Sequence, residues 1–354
     1  MPISYHAGVD LAKDTAEILV NTVNTVGTMG KGLALAMKQA FPEILEPYQA
    51  ACSSGRLKPG GLQILPTKDG RRVVNLASKE HWRAPSRPEW VGYGLFALNS
   101  WLCSQKDMPR SIALPLPGAG NGGLSPELSQ QLARIYLQPA ASRGCEIRIM
   151  YEELEPAMFP HIYAGVGSRE TPDDVGTVMT GIAERAAEDG WLLRSGGATG
   201  ADTFFERGAS RDMAEIYLAK RRSGHPHGIV AHTELHNRLV EKFHPAPRAL
   251  SPFAYELMSR NGCQVFGRDF TRPVSVLCCW TEGGRGEGGT GQAVRLANAA
   301  GIPVLDLGDP NLQGISASEA YTLMRVMAEE WRQQRGFPEP ERDGIPEFSI
   351  QFGG

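Results

Sequence analysis

Glycine gathers in five turns, at 27–32, 118–123, 165–167, 196–200 and 283–291, and each follows a short apolar run. Most of the turns then pass into helix-like periodicity. Apolar run, glycine turn and helix in succession is the pattern of parallel strands joined by covering helices. Glycine serves that pattern by turning tightly and letting backbone approach a ligand. The chain holds 41 glycines in 354 residues, above the typical ~7%, and no collagen-like period or low-complexity tract absorbs the excess. At about 150 residues per domain, the length predicts two domains.

The turns divide between two segments. The first covers 1–151, where Glu17–Asn21, Arg72–Asn75, Ser111–Leu114 and Glu146–Tyr151 read as strands. Gly32–Phe41, Arg87–Cys103 and Ser125–Leu137 read as helices, the first stopped by Pro42. An acidic stretch ending at Pro156 marks 152–160 as a linker. The second segment covers 161–335. Ile162–Gly165, Trp191–Arg194, Glu215–Leu218, Ser275–Cys279 and Ile302–Leu307 read as strands, with helices at Asp173–Asp189, Gly200–Ala209 and Gly291–Ala300. Residues 336–354, rich in Pro, Glu, Arg and Gly, read as a tail.

Charge narrows the function. Lys and Arg number 36 against 39 Asp and Glu, a formal charge of −3. That excludes a strongly basic coater of duplex DNA and leaves room for a local basic patch. The first 25 residues show no secretory signal, and Trp90–Gln105 is too short and too broken by Asn99 and Ser100 to span a bilayer. The six cysteines form no CxxC pair. The expectation is a cytoplasmic protein with reduced thiols, no membrane association and no cofactor.

The first segment carries two loops suited to one nucleotide. Val20–Gly32 leaves a strand and enters a helix, exposing backbone N–H groups suited to a diphosphate. Asn21 and Asn24 stand at the strand's end, where a ribose can be held. Pro115–Leu124 follows another strand. Neither loop is a Walker or a GxGxxG motif.

These pieces, with Phe41-Pro42, Lys58-Pro-Gly60, Asn75–Arg83 and Pro117–Leu124 in order, resemble a macrodomain, the ADP-ribose-binding fold. More narrowly they resemble the macrodomain of DarG antitoxins, which removes ADP-ribose placed on DNA bases by DarT toxins. The resemblance implies a three-layer α/β sandwich and an ADP-ribosyl-DNA hydrolase. It places a catalytic lysine at Lys79, with Asn24 and Asn21 orienting the distal ribose. ADP-ribose would lie on Gly27, Met29, Gly30, Lys31 and Gly32. It would be closed in by Gly118, Ala119, Gly120, Asn121, Gly122, Gly123 and Leu124. A lysine acts as nucleophile or base only when its pKa falls, and Lys31, His81 and Arg83 are expected to supply a positive field. Single-stranded DNA is expected at Trp82, Arg83 and Arg87, with Lys68, Arg71 and Arg72 near the cleft. A DarT-type toxin is an expected partner.

The second segment has three glycine turns between strand and helix, again fitting a phosphate. Its layout resembles the SLOG superfamily, the Rossmann-like group that includes DprA and the LOG phosphoribohydrolases, over about Ile162–Leu307. The resemblance places a nucleotide or NAD-derived ligand at Gly167, Ser168, Arg169, Gly196, Gly197, Thr199, Asp202, Gly289, Thr290 and Gly291. The glutamate of the LOG pattern is missing after Gly288-Gly-Thr-Gly291. Binding is therefore expected over hydrolysis there, and a non-catalytic, sequestering protein is the alternative for the whole chain. His225, His227, His232, His236 and His244 fall close together, with His232 and His236 spaced to share a helix face. They lack HExxH order and are assigned no metal. The expectation is a partly exposed insertion, suited to a homo-oligomer contact.

Overall fold

A computed structural model describes residues 3–338. Most of the tail read at 336–354 therefore lies outside the described residues.

The N-terminal unit runs β1 (Ile3–Tyr5), β2 (Ile18–Val23), α1 (Gly32–Ala40), α2 (Leu45–Ser53), β3 (Leu62–Pro66), β4 (Arg72–Ala77), α3 (Pro88–Ser104), β5 (Ser111–Leu114), α4 (Pro126–Ser142) and β6 (Glu146–Ile149). Its sheet has the order β1-β6-β5-β2-β4-β3, parallel except for the edge strand β3. Alternation along the strands explains the layering. Ile18 and Val20 face a core built with α3 and α4, while Leu19 and Val23 face one built with Met37, Ile44 and Tyr48. Helices thus cover both faces.

The C-terminal unit continues with β7 (Ile162–Gly165), α5 (Asp173–Glu188), β8 (Leu192–Ser195), α6 (Ala201–Gly208), β9 (Ala214–Ile216), α7 (Glu234–Phe243), α8 (Pro252–Phe266), β10 (Val276–Cys279), α9 (Gly291–Ala299), β11 (Val304–Asp306) and α10 (Ala317–Gln334). Its all-parallel sheet has the order β11-β10-β7-β8-β9. Read from β7, this is the doubly wound order whose direction of winding reverses between β7 and β10. In such sheets ligands bind outside the strand ends at that reversal.

The two units share one hydrophobic core. Residues of α3 and α4 cluster with Phe266, Phe270, Ala297, Ile302 and Trp331. Phe96 and Phe266 pack with ring centroids 4.8 Å apart. The Tyr136 hydroxyl donates to the Phe270 carbonyl at 2.6 Å, and Asn99 Nδ2 donates to the Ala299 carbonyl at 3.2 Å. Gly92 is required at this seam, because a Cβ there would stand 2.7 Å from the Phe270 oxygen. The segment 152–160 has no helix or strand, yet its Phe159 is buried and stacks on Phe337 at 4.7 Å. The molecule is a stack of helices, sheet, helices, helices, sheet, helices.

One seam contact rescues a helix-breaking residue. The sequence reading ends α4 at Leu137, but the helix continues through Pro139. Proline has no N–H to offer the carbonyl four residues earlier. That carbonyl, of Ile135, accepts instead from Arg335 Nε at 3.1 Å. Asn99 Oδ1 takes the Ala140 N–H at 3.0 Å. Arg335 also donates to Trp331 O at 3.0 Å and lies 4.0 Å over the Trp331 ring. Arg335→Met keeps most of the volume and removes the donors. It is expected to lower stability by about 1–3 kcal/mol for each carbonyl orphaned, read as a lower Tm.

Candidate functional site

Strands β2, β4 and β5 are parallel neighbours, so the loops that follow them converge at one edge of the first sheet. The loop after β2 is shaped by Asn24. Its Oδ1 accepts from Val26 N (3.0 Å), Thr28 N (3.3 Å) and the Tyr48 hydroxyl (3.1 Å), and its Nδ2 donates to Thr28 O at 2.7 Å. This network holds 24–28 in a fixed turn. Asn21 is fully buried, with Nδ2 donating to Asn75 Oδ1 at 2.9 Å. Its Oδ1 is buried without a partner.

The loop after β5 meets both others. Gly32 opens α1 with φ +58°, and a Cβ there would stand 2.9 Å from Asn121 Nδ2. Gly122 is buried; its Cβ would stand 2.6 Å from Ser86 Oγ and 3.8 Å from Lys79 Cε. Ser86 N donates to Gly122 O at 2.8 Å. The loop after β4 is also tied to the first, through Lys79 N to Val23 O (3.3 Å) and Thr25 N to Glu80 O (3.1 Å). Lys79 Nζ donates to the Asn121 carbonyl. The lysine therefore sits where the glycine loops meet. Around it Met29 is buried, Lys31 and Gly30 are exposed, and Gly120 and Gly123 turn with positive φ into open space. Gly27 and Gly118 also have positive φ, and Ala119 and Leu124 are half-buried beside them.

Burial alone lowers the Lys79 pKa. The positive field expected from Lys31, His81 and Arg83 is not what lowers it. Arg83 instead lies 4.5 Å over the ring of Trp82, which is 49% exposed and stacked on His81. Arg87 lies 4.9 Å over Trp90 at the start of α3.

The expectation that Lys68, Arg71 and Arg72 stand near this cleft is wrong. Arg72 begins β4 and Ala77 ends it, so strand geometry sets them about 16–17 Å apart. Arg71 pairs with Asp69 at 2.7 Å and donates to the Asp14 carbonyl.

In the C-terminal unit a cavity of about 680 Å³ opens at the β7/β10 reversal. Of the expected ligand residues, Gly167, Ser168, Arg169, Asp202, Gly289 and Thr290 line it. Gly196, Gly197, Thr199 and Gly291 do not. Gly196 leaves the gap that the buried Arg260 occupies, for its Cβ would overlap Arg260 Nη1. Gly197 packs under Leu218 and His225, Thr199 is exposed, and Gly291 packs against Gly286 O. Arg260 stands 3.7 Å from Asp202, whose carboxyl is pushed up to about 6 by burial. Asp202 also accepts from Ala198 N at 3.2 Å. The sequence reading missed Arg260 and Asn261, which sit on α8 and line the cavity, Asn261 donating to Gly289 O at 3.0 Å.

The histidine expectation also needs correction. His232 precedes α7, so it shares no helix face with His236. His236 is fully buried, accepting at Nδ1 from Thr233 N (3.2 Å) and facing the Gly267 carbonyl through Nε2 at 3.1 Å.

The "Macro domain" family matches residues 20–133, and the N-terminal unit is a macrodomain. A "DNA ADP-ribosyl glycohydrolase" of Thermus aquaticus is 44% identical over 151 residues, covering 41% of this chain and 40% of that protein. A "DNA ADP-ribosyl transferase-DNA ADP-ribosyl glycohydrolase fusion protein" of Thermosipho africanus is 28% identical over 172 residues, 42% of this chain and 43% of that one. The chain thus spans about two fifths of the length of these curated relatives. Among solved structures, the macrodomain of Thermus aquaticus DarG is 39% identical, covers 43% of this chain and 98% of that chain, and has a TM-score of 0.38. No helix among the described residues is long and apolar enough to cross a membrane.

Proposed function

We propose that the chain is a hydrolase that removes ADP-ribose from DNA bases. The observation that carries this reading is Lys79, held at the junction of two glycine loops in a macrodomain whose relatives are named for that reaction. The diphosphate lies on backbone N–H groups of Gly27–Gly32 and Gly118–Gly123. Asn21 Oδ1, buried and unpartnered, accepts from a distal ribose hydroxyl. Asn24 contributes by fixing the loop that carries the phosphate cradle.

Lys79 acts at the anomeric carbon bonded to the base. Its lowered pKa leaves more neutral amine near neutrality than an exposed lysine has. The glycosidic electron pair leaves with the base, which takes a proton, and water supplies the hydroxyl that ends on the sugar carbon. Trp82 stacks on a neighbouring base, worth ~1–3 kcal/mol, and Arg83 and Arg87 contact phosphates.

We further divide the chain at 1–151, 152–160 and 161–335, the last a SLOG-like domain with a nucleotide or NAD-derived ligand in its cavity. The turn at 167–169 lines that cavity together with Arg260, a cation for the ligand's phosphate. The fusion relative, whose name joins a transferase to a glycohydrolase, supports a DarT-type toxin as partner.

Turnover tests the reading. With a tenfold excess of ADP-ribosylated single-stranded oligonucleotide, release beyond one equivalent of ADP-ribose supports it. Retention of one equivalent without release would establish a sequestering protein instead.

A further inference from the structure

A groove of about 480 Å³ runs along the seam between the two units. Its floor comes from the macrodomain. Leu62 and Ile64 lie two apart on the edge strand β3 and so face the same side. Beside them α3 presents Tyr93, Ala97 and Trp101, positions four apart along one helix face that begins at Trp90. The opposite wall comes from α7 of the second unit, through Glu234, Arg238 and Lys242. Arg56 and Lys58 complete the rim.

The groove's charge is one-sided. Four cations face one carboxylate, and Glu234 is already engaged by Lys58 (2.9 Å) and Arg238 (3.1 Å). Arg56 and Lys242 have no carboxylate within 4 Å among the described residues. In a chain of net charge −3, this is a local concentration of positive charge.

The aromatic groups are each paired with a cation in sequence along α3. Arg87 lies over Trp90 (4.9 Å), Arg238 over Tyr93 (5.9 Å) and Arg72 over Trp101 (5.9 Å). The series starts at the catalytic cleft, since Ser86, next to Arg87, bonds Gly122. At its near end the groove also abuts the strand that delivers Lys79, through Ala77 N donating to the O of the lining residue Gly61 at 3.0 Å. From Arg87 to Trp101 the helix rise gives about 21 Å, room for roughly six stacked nucleotides at ~3.4 Å each.

We propose that this groove is a track for the single-stranded DNA that flanks the modified base, with phosphates on Arg56, Lys58 and Lys242 and a base against Trp101. Tyr93 is buried, so Trp101 is the platform the groove offers. An aromatic face beside cations is what an unpaired strand requires, because its bases are free to stack and its backbone carries the charge. A duplex keeps its bases inside and gains nothing from Trp101. The site rests on the DNA-hydrolase reading for its place in the reaction, but its strand-binding is a separate property. It also gives the second unit a part in substrate binding, because α7 supplies one wall.

The test uses the full chain and an unmodified, labelled twelve-residue oligothymidylate, with anisotropy followed from 50 to 200 mM salt. Arg56 and Lys242 are on the surface, so Arg56→Glu/Lys242→Glu is expected to fold with an unchanged Tm. Its affinity is expected to fall at least tenfold. The slope of log affinity against log salt should shrink by about 1.4, at ~0.7 for each single-strand phosphate that no longer meets a cation. Turnover of an ADP-ribosylated mononucleotide should stay at the wild-type rate. Equal affinity and slope in the folded variant would overturn the proposal. So would tighter binding of an oligoglutamate than of oligothymidylate, which would make the groove a protein-docking face. Absence of wild-type turnover on every substrate would count against the hydrolase reading alone.

Discussion

Lys79→Ala is expected to cut the rate of ADP-ribose release by about 10²–10⁴-fold, the range of a positioned proton-transfer group, while ADP-ribose affinity changes little. The separation follows from geometry. The proposed diphosphate cradle is backbone of the loops after β2 and β5, whereas Lys79 enters from the loop after β4 and reaches Asn121 only through its side chain. Lys79→Arg is expected to fail as well, because a guanidinium keeps its proton across the working range. The pH profile carries the sign. In the proposed mechanism the neutral amine is the working form, so the wild-type rate should rise with pH as Lys79 deprotonates. Burial lowers that pKa, so the rise should reach its midpoint below the ordinary lysine value of 10.5. A rate that stays flat across neutral and alkaline pH would mean that Lys79 acts as a fixed cation.

The second large effect is expected at Gly122. Its Cβ position is 2.6 Å from Ser86 Oγ and 3.8 Å from Lys79 Cε, so Gly122→Val must push the loops after β4 and β5 apart. Both ADP-ribose affinity and turnover are expected to fall by at least tenfold. Gly30→Ala provides the comparison. A Cβ at Gly30 meets only Thr28 Cγ2, at an ordinary 3.6 Å. That variant should keep its Tm, and its affinity should drop only if the diphosphate approaches Gly30 backbone. Isothermal titration with ADP-ribose on the folded variants separates the two cases. Unchanged affinity in Gly122→Val would place the ligand elsewhere.

The strands that carry glycine turns were legible because their signals are local. Ser111–Leu114 and Ile162–Gly165 lie where the apolar runs put them. β3 was not legible, because Leu62–Pro66 is an edge strand interrupted by a polar Gln63 and pinned by pairing with β4. Helices α7, α8 and α10 carry no glycine turn, so Arg260 and Asn261 escaped the reading that found Ser168 and Thr290. The shared core does leave a signal in the sequence. From Val91 to Leu98 nearly every residue of α3 is buried, and a helix apolar on all sides must be covered on all sides. Covering one face with its own sheet left another for α8 and Phe270. Arg335 could not be read from spacing, since its value lies in a carbonyl that Pro139 frees 200 residues earlier in the chain.

The proposed hydrolase restores DNA bases catalytically from the cleft around Lys79. The most direct measurement is the mass of an ADP-ribosylated single-stranded oligonucleotide after incubation with substrate in large molar excess over enzyme. The whole population is expected to return to the unmodified mass with equimolar free ADP-ribose, and Lys79→Ala is expected to leave the modified mass in place. Wild-type protein that leaves the mass unchanged, or a Lys79→Ala variant that restores it at the wild-type rate, would contradict the proposal.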